Sequence, residues 1–404
     1  MTPAATLRNT AEIRARSQHL LNRARTGDSA WFTVHDGAMG AAATEVADLT
    51  AARFPDLVIP FHSRWRHFEA GGVDRRTELE GLLGDLDRPG RARAMIDLTV
   101  VSVLLDAGAG PDWSYRETET GLKLTRSEGL GVASWHAFTA GNFSSDPDHP
   151  LQADAAGLTG LDAGALATAF QLGADNPLVG FEGRVDLLRR LGAALADQPA
   201  VFGTPGRPGG LYDLLVTDAG TPTVAAHDIL SALLSTMSRI WLADNAIEGE
   251  PLGDCWRHDA VPGAGATAGW VPFHKLSQWL TYSLLEPFGW AGAQVSGLDA
   301  LTGLPEYRNG GLFLDTGVLR LRDPGWAERG WTPADELVVE WRALTVALLD
   351  ELAVLVRERL GVTAEQLPLA CVLEGGSWAA GRALAQRLRG GLPPLTVISD
   401  GTVF

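Results

Sequence analysis

"TPADELVVEWRALTVALLDELAVLVRERLG", residues 332–361, is the stretch that sets the fold class. Its apolar residues Val338, Trp341, Leu344, Leu348, Leu352 and Leu355 recur at steps of three and four, the period of a helix with one face in a core. Thr332 is a suitable N-cap and Pro333 suits the first helical position. Asp335 and Glu336 complement the helix dipole, and Gly361 is a C-terminal stop. The pattern predicts one long core helix.

The same period extends along the chain. "RPGRARAMIDLTVVSVLLDAGAGP" reads as a helix closed by Gly and Pro, and "TRSEGLGVASWHAF", "LDAGALATAFQL" and "FEGRVDLLRRLGAALAD" as shorter helices. "AAHDILSALLSTMSRIWLADNAI" and "FHKLSQWLTYSLLEPF" are further strong helical patterns. Strand signals are confined to "LKLT" (122–125) and "LTVIS" (395–399). With no repeat, low-complexity tract or long linker, the expectation is a mainly α protein. It would be a single globular helical domain over residues 1–404 with minor short strands, and residues 1–50 would form an N-terminal helical extension packed on it.

Composition narrows the partners. The 404 residues carry a formal net charge of -16 and scattered arginines. Such a chain repels duplex phosphate, so no nucleic acid is expected, and a small anion held by a few arginines fits better. No run approaches about 18 apolar residues, so no membrane span is expected. The first residues lack the apolar centre of a secretory signal. Two cysteines, Cys255 and Cys371, argue against a disulfide scaffold and fit a reducing, cytoplasmic setting.

Four segments could carry chemistry. In "FHSRWRHFEAGGVDRR" (61–76), His62, Arg64, Trp65, Arg66, His67 and Phe68 crowd together. They could form a turn with its aromatic residues in the core, or an anion site in which planar guanidinium forks grip phosphate or carboxylate. Sparse histidine spacing gives no metal site. In 110–138, Trp113 offers a flat stacking surface, and Arg116 and Glu128 are charges set beside apolar runs. In 253–279, Trp256, His258, His274 and Lys275 cluster, and Lys275 interrupts an apolar helical pattern. A lysine forced inward must meet an anion or lose its proton. In 301–321, Glu306, Tyr307, Arg308 and Asn309 stand at a junction before Gly310-Gly311: a site rim, or an ordinary turn with an ion pair.

"RWRHFEAGGVDRR", "WSYRETETGLKLTRSEGLGVASWHAFTAGNFSSDPDHPL", "DNPLVGFEGRVDLLRRLG" and "LTGLPEYRNGGLFLDTGVL" resemble the uracil catabolism protein four family of non-reductive pyrimidine degradation, over nearly the whole chain. More distantly, Phe68 to Val73, "VPFHKLSQ" and "GLPEYR" are similar to segments of queuosine-salvage nucleotide N-glycosidases. That likeness implies a helix-hairpin-helix glycosylase-like fold. It sets Lys275 on the family's lysine and Glu306 where the family has aspartate, with Glu340-Trp341-Arg342 a looser match.

The resemblances imply an N-ribosidic hydrolase that splits a ribosylurea 5-phosphate into urea and ribose 5-phosphate, without cofactor or metal. Glu306, Lys275 and His274 would be catalytic. His62, Arg64, Trp65, Arg66, His67, Phe68, Trp113, Arg116, Glu128, Trp256, His258, Tyr307, Arg308 and Asn309 would bind substrate. A homodimer is compatible with this reading. Two rivals are a metal-dependent amidohydrolase acting on the ureido group and a non-catalytic binding protein for ring-opened pyrimidines.

Overall fold

The computed structural model describes residues 2–217, 222–243 and 245–398. Its centre is the long helix foreseen from residues 332–361, which runs Glu336–Leu360 and ends on Gly361 in the left-handed conformation (φ 69°). The start lies later than the Thr332 signal suggests. The Asp335 carboxylate accepts from both the Thr332 N–H (2.6 Å) and its hydroxyl (2.9 Å), folding 332–335 into a turn. The Asp335 carbonyl then receives the first helical amides, from Val338 and Val339.

The stretch Leu337–Leu349 is buried throughout, because other helices surround this one. Thr10–Thr26 and Met39–Arg53 both lie along it. Ile13 and Leu20 pack with Phe273, Val339 and Val346, so the first fifty residues contribute to the core. Truncating a side chain as enclosed as Trp341 costs about 3–5 kcal/mol in such cores.

A second layer centres on Arg88–Leu104, which is closed in from Ala94 onward and packs against Arg126–Thr139 and Lys275–Trp290. Asp97 lies fully buried within that helix, where Arg207 (2.7 Å) and the amides of Gly209 and Ala153 hold it. Burial nevertheless pushes its carboxyl up to about 6.

Phe181–Ala196 crosses Ala155–Thr159 closely, because a Cβ on Gly192 would come within 2.6 Å of the Thr159 hydroxyl oxygen. Among the described residues strands occur only as two-stranded ladders. Lys123–Leu124 pairs with Tyr115–Arg116, and Thr396–Val397 pairs in parallel with Gly330–Trp331. The last residue of the expected 395–399 strand, Ser399, lies outside the described residues. The protein is a single mainly α domain. No described helix is long and apolar enough to cross a membrane.

Candidate active site

Glu306 is the N-cap of the helix Tyr307–Asp315. One carboxylate oxygen accepts the Asn309 N–H (2.5 Å) and the other the Arg308 N–H (2.7 Å). These are two of the amides that a helix start leaves unpaired, and a negative charge there also suits the dipole. The helix is fixed in place by glycines that permit close approach. A Cβ on Gly310 would sit 2.7 Å from the Trp341 ring, and one on Gly381 would sit 2.1 Å from the Arg308 carbonyl oxygen. Trp341 donates its indole N–H to the Gly310 carbonyl (3.1 Å). Burial pushes the Glu306 carboxyl above its ordinary range, against the pull of the two amides and of the Lys275 charge.

Lys275 begins the helix Lys275–Trp290. Its backbone N–H donates to Asp254 (2.9 Å), which is also gripped by both Nη atoms of Arg342 (2.7 and 2.8 Å) and by the Trp256 indole N–H (2.7 Å). Burial works against the Asp254 charge, but the Arg342 guanidinium outweighs it and holds the carboxyl at about 2. The Arg342 Nε reaches the carbonyl of Pro305, the residue before Glu306 (3.3 Å). One buried ion pair thus joins the start of the lysine helix to the start of the glutamate helix. Burial lowers the Lys275 ammonium, Arg342 adds to the fall, and Asp254, Glu306 and Asp106 pull it back.

His274 is turned away from this pair. It occupies left-handed backbone (φ 49°), and its Nε2 lies 2.9 Å from the Leu7 carbonyl and 3.5 Å from the buried Cys255 thiol. Burial holds it below its ordinary range, so a neutral ring donates to Leu7. Of the three residues expected to be catalytic, His274 is the one whose ring Nε2 is engaged by a backbone carbonyl.

Trp279 stands one helical turn beyond Lys275 and brings the first segment in. Its ring lies 5.7 Å from His67, 6.4 Å from His62 and 5.8 Å from the Arg64 guanidinium carbon. Arg64 is wholly enclosed. Its Nε donates to Ser102 (2.6 Å), and its Nη1 donates to the Ser127 carbonyl and to His67 Nδ1 (both 3.1 Å), with Asp106 3.3 Å away. Burial and the Arg64 charge hold His67 down at about 3, so the imidazole is neutral.

His62 pairs through Nδ1 with Glu374 (2.8 Å). Glu374 lies in the π-helical turn Leu373–Ser377, and Ser377 at its end donates to the Asn309 side chain (2.9 Å). Burial opposes the Glu374 charge, but the His62 hydrogen bond outweighs it and keeps the carboxyl low. Such π-turns recur at functional sites. This one ties the His62 segment to the Glu306 helix.

Other expected residues are structural in place. Trp65 and Phe68 pack edge-on in the core with Trp290, and Trp113 stacks on Phe170 and donates to its carbonyl (3.0 Å). Arg66 is bound to Glu286 (2.7 Å) and Glu69 (3.1 Å). Arg116 is exposed on its short strand. His258 faces Glu340 (3.0 Å), and Trp256 serves Asp254. Glu128 meets Arg382 (3.3 Å). Arg308 lies over the Tyr307 ring (4.6 Å), and its Nε has no partner among the described residues.

Asp254, Asp106, Trp279 and Glu374 were not singled out from sequence. The signal for Asp254 was its place between two helical patterns, just before Cys255. For metal, Glu117, Glu119 and His136 bring ligand atoms within 4.8 Å of one another. Arg75 already engages both Glu117 oxygens (2.9 and 2.5 Å).

Comparison with known proteins matches the sequence to relatives over most of its length. The chain is 42% identical to Uracil catabolism protein 4 of Lachancea kluyveri over 381 residues, covering 86% of this chain and 85% of the relative. It is 39% identical to Protein urg3 of Schizosaccharomyces pombe over 413 residues, covering 99% and 98%. Residues 6–404 match the family model described as "Protein of unknown function (DUF1688)", and the chain belongs to that family.

Proposed function

We propose that this protein acts in uracil degradation as an N-ribosidic hydrolase, converting a ribosylurea 5-phosphate and water into urea and ribose 5-phosphate. The pathway follows from the name of the Lachancea relative, Uracil catabolism protein 4. The reaction rests on one observation: the Asp254–Arg342 pair joins the start of the Lys275 helix to the start of the helix on which two backbone amides fix the Glu306 carboxylate.

Breaking an N-glycosidic bond builds positive charge on the anomeric carbon and ring oxygen. A carboxylate that needs no reorientation stabilises that charge and takes a proton from the attacking water. Burial raises its affinity for protons, which suits the base role. The bond from the anomeric carbon to nitrogen breaks as the water oxygen bonds to that carbon. The departing nitrogen takes a proton and leaves as urea. Lys275 supplies that proton, because burial makes its ammonium more acidic than usual and His274 is engaged by Leu7. Arg308, whose Nε beside Tyr307 has no partner among the described residues, is the first cation for the 5′-phosphate. Binding at that remote group then helps position the reacting end.

The test is incubation of purified protein with synthetic ribosylurea 5-phosphate and enzymatic assay of urea. Stoichiometric urea and ribose 5-phosphate are expected. Their absence at high protein concentration removes the proposal.

A further inference from the structure

We infer that Arg64, Trp279 and Asp106 form a subsite for a neutral ureido or carboxamide group, and that this group, not phosphate, is what the buried arginine reads. The inference rests on the proposed reaction only for which ligand carries the group.

Arg64 is fully buried, yet its Nη2 has no hydrogen-bond partner among the described residues. Trp279, only 7% exposed, has an indole Nε1 without a partner among the described residues. Asp106 Oδ1 is enclosed and accepts no hydrogen bond among the described residues, its charge facing Arg64 Nη1 in an ion pair at 3.3 Å. Each such group left unmade costs about 1–3 kcal/mol, so three in one neighbourhood point to a ligand that completes them.

Their chemistry selects the ligand. Two donors and one acceptor match a carbonyl oxygen with an adjacent N–H. The oxygen accepts from Arg64 and Trp279 while the N–H donates to Asp106. A phosphate or carboxylate would satisfy the two donors but set its charge against Asp106. An ammonium group would suit Asp106 and leave both donors empty beside a guanidinium. The subsite adjoins the reacting pair: Trp279 is one turn from Lys275, and Asp106 contributes to the field at that ammonium. A ureido group seated here would extend from the anomeric carbon beside Glu306.

Saturation-transfer NMR with N-methylurea at millimolar concentration tests this without turnover. Acetate and inorganic phosphate serve as anionic controls. Trp279→Phe keeps the ring and removes the N–H, and Asp106→Asn keeps the shape and removes the charge. Circular dichroism checks that both fold. Transfer to the N-methylurea methyl group is expected in the unmodified protein, at least fivefold weaker in each variant. Lack of transfer in the unmodified protein, undiminished transfer in either folded variant, or displacement of N-methylurea by acetate or phosphate each overturns the subsite. Should N-methylurea bind as expected while ribosylurea 5-phosphate is not cleaved, the reaction falls and the subsite stands.

Discussion

Arg342 closes a two-pronged ion pair on Asp254, with Nη1 and Nη2 2.7 and 2.8 Å from its two oxygens. Both partners are buried, and the pair reaches the backbone of Lys275 on one side and of Pro305 on the other. It therefore sets the spacing of the two charged groups on which the proposed chemistry depends.

Asp254→Asn is expected to leave a buried guanidinium uncompensated. Removing one partner of such a pair costs about 3–5 kcal/mol. Denaturant unfolding at neutral pH measures this, and a loss below about 1 kcal/mol would show that the pair is not holding the two helices.

Glu306→Gln preserves one accepting oxygen at the helix start, so the stability loss should stay near about 1 kcal/mol. Urea release should fall on the order of 100-fold or more, because the amide neither stabilises positive charge nor takes a proton. Near-normal turnover in a folded variant would remove Glu306 from the mechanism.

His274→Asn should behave differently. Asparagine tolerates left-handed backbone better than most residues. The ring it replaces is bonded to Leu7 and Cys255. The pH dependence of urea release should keep its shape, with turnover within about tenfold of the unmodified protein. A shifted or missing limb in that profile would return His274 to the proton transfers.

His67 is held at about 3 in the fold, against about 6.5 for an unperturbed histidine. Between those values the unfolded chain binds more protons, so stability rises with pH through the window and is lost as pH falls below about 6.5. The groups facing the ring include Arg64, Glu128, His62 and Glu374. In His67→Gln that contribution disappears, and unfolding free energies at pH 7 and pH 4.5 should differ less than in the unmodified protein. The maximal difference in slope is about 1.4 kcal/mol per pH unit. Parallel curves for the two proteins would show that His67 does not titrate in this way.

Gly381→Ala would place a Cβ 2.1 Å from the Arg308 carbonyl oxygen, a backbone atom that cannot turn aside. Overpacking of this kind costs about 1–3 kcal/mol. The strain falls on the helix that Glu306 caps, so urea release should drop beyond what the stability loss accounts for. Unchanged activity would mean that the two helices can separate without moving Glu306.

The helical class, the long core helix within 332–361 and the helix that carries Lys275 are legible in the sequence, because a helix writes its buried face locally, every three or four residues. "GLPEYRNGG" reads as a turn, whereas in the structure Glu306 caps the helix Tyr307–Asp315 and Gly310-Gly311 lie inside it. The sequence did not determine how those segments meet. Asp254 and Arg342 are 88 positions apart, and Arg64 precedes the short helix Trp65–Phe68 whereas Trp279 lies within Lys275–Trp290. From sequence Trp65 and Phe68 could belong to the core or to an anion site and Trp113 to a stacking surface, and in the structure all three rings pack in the core. His274 faces Leu7 because left-handed backbone at the helix start swings it there. These outcomes depend on which buried charge meets its counter-charge across the core, and only the tertiary packing decides that, because an unpaired charge there is too costly to leave.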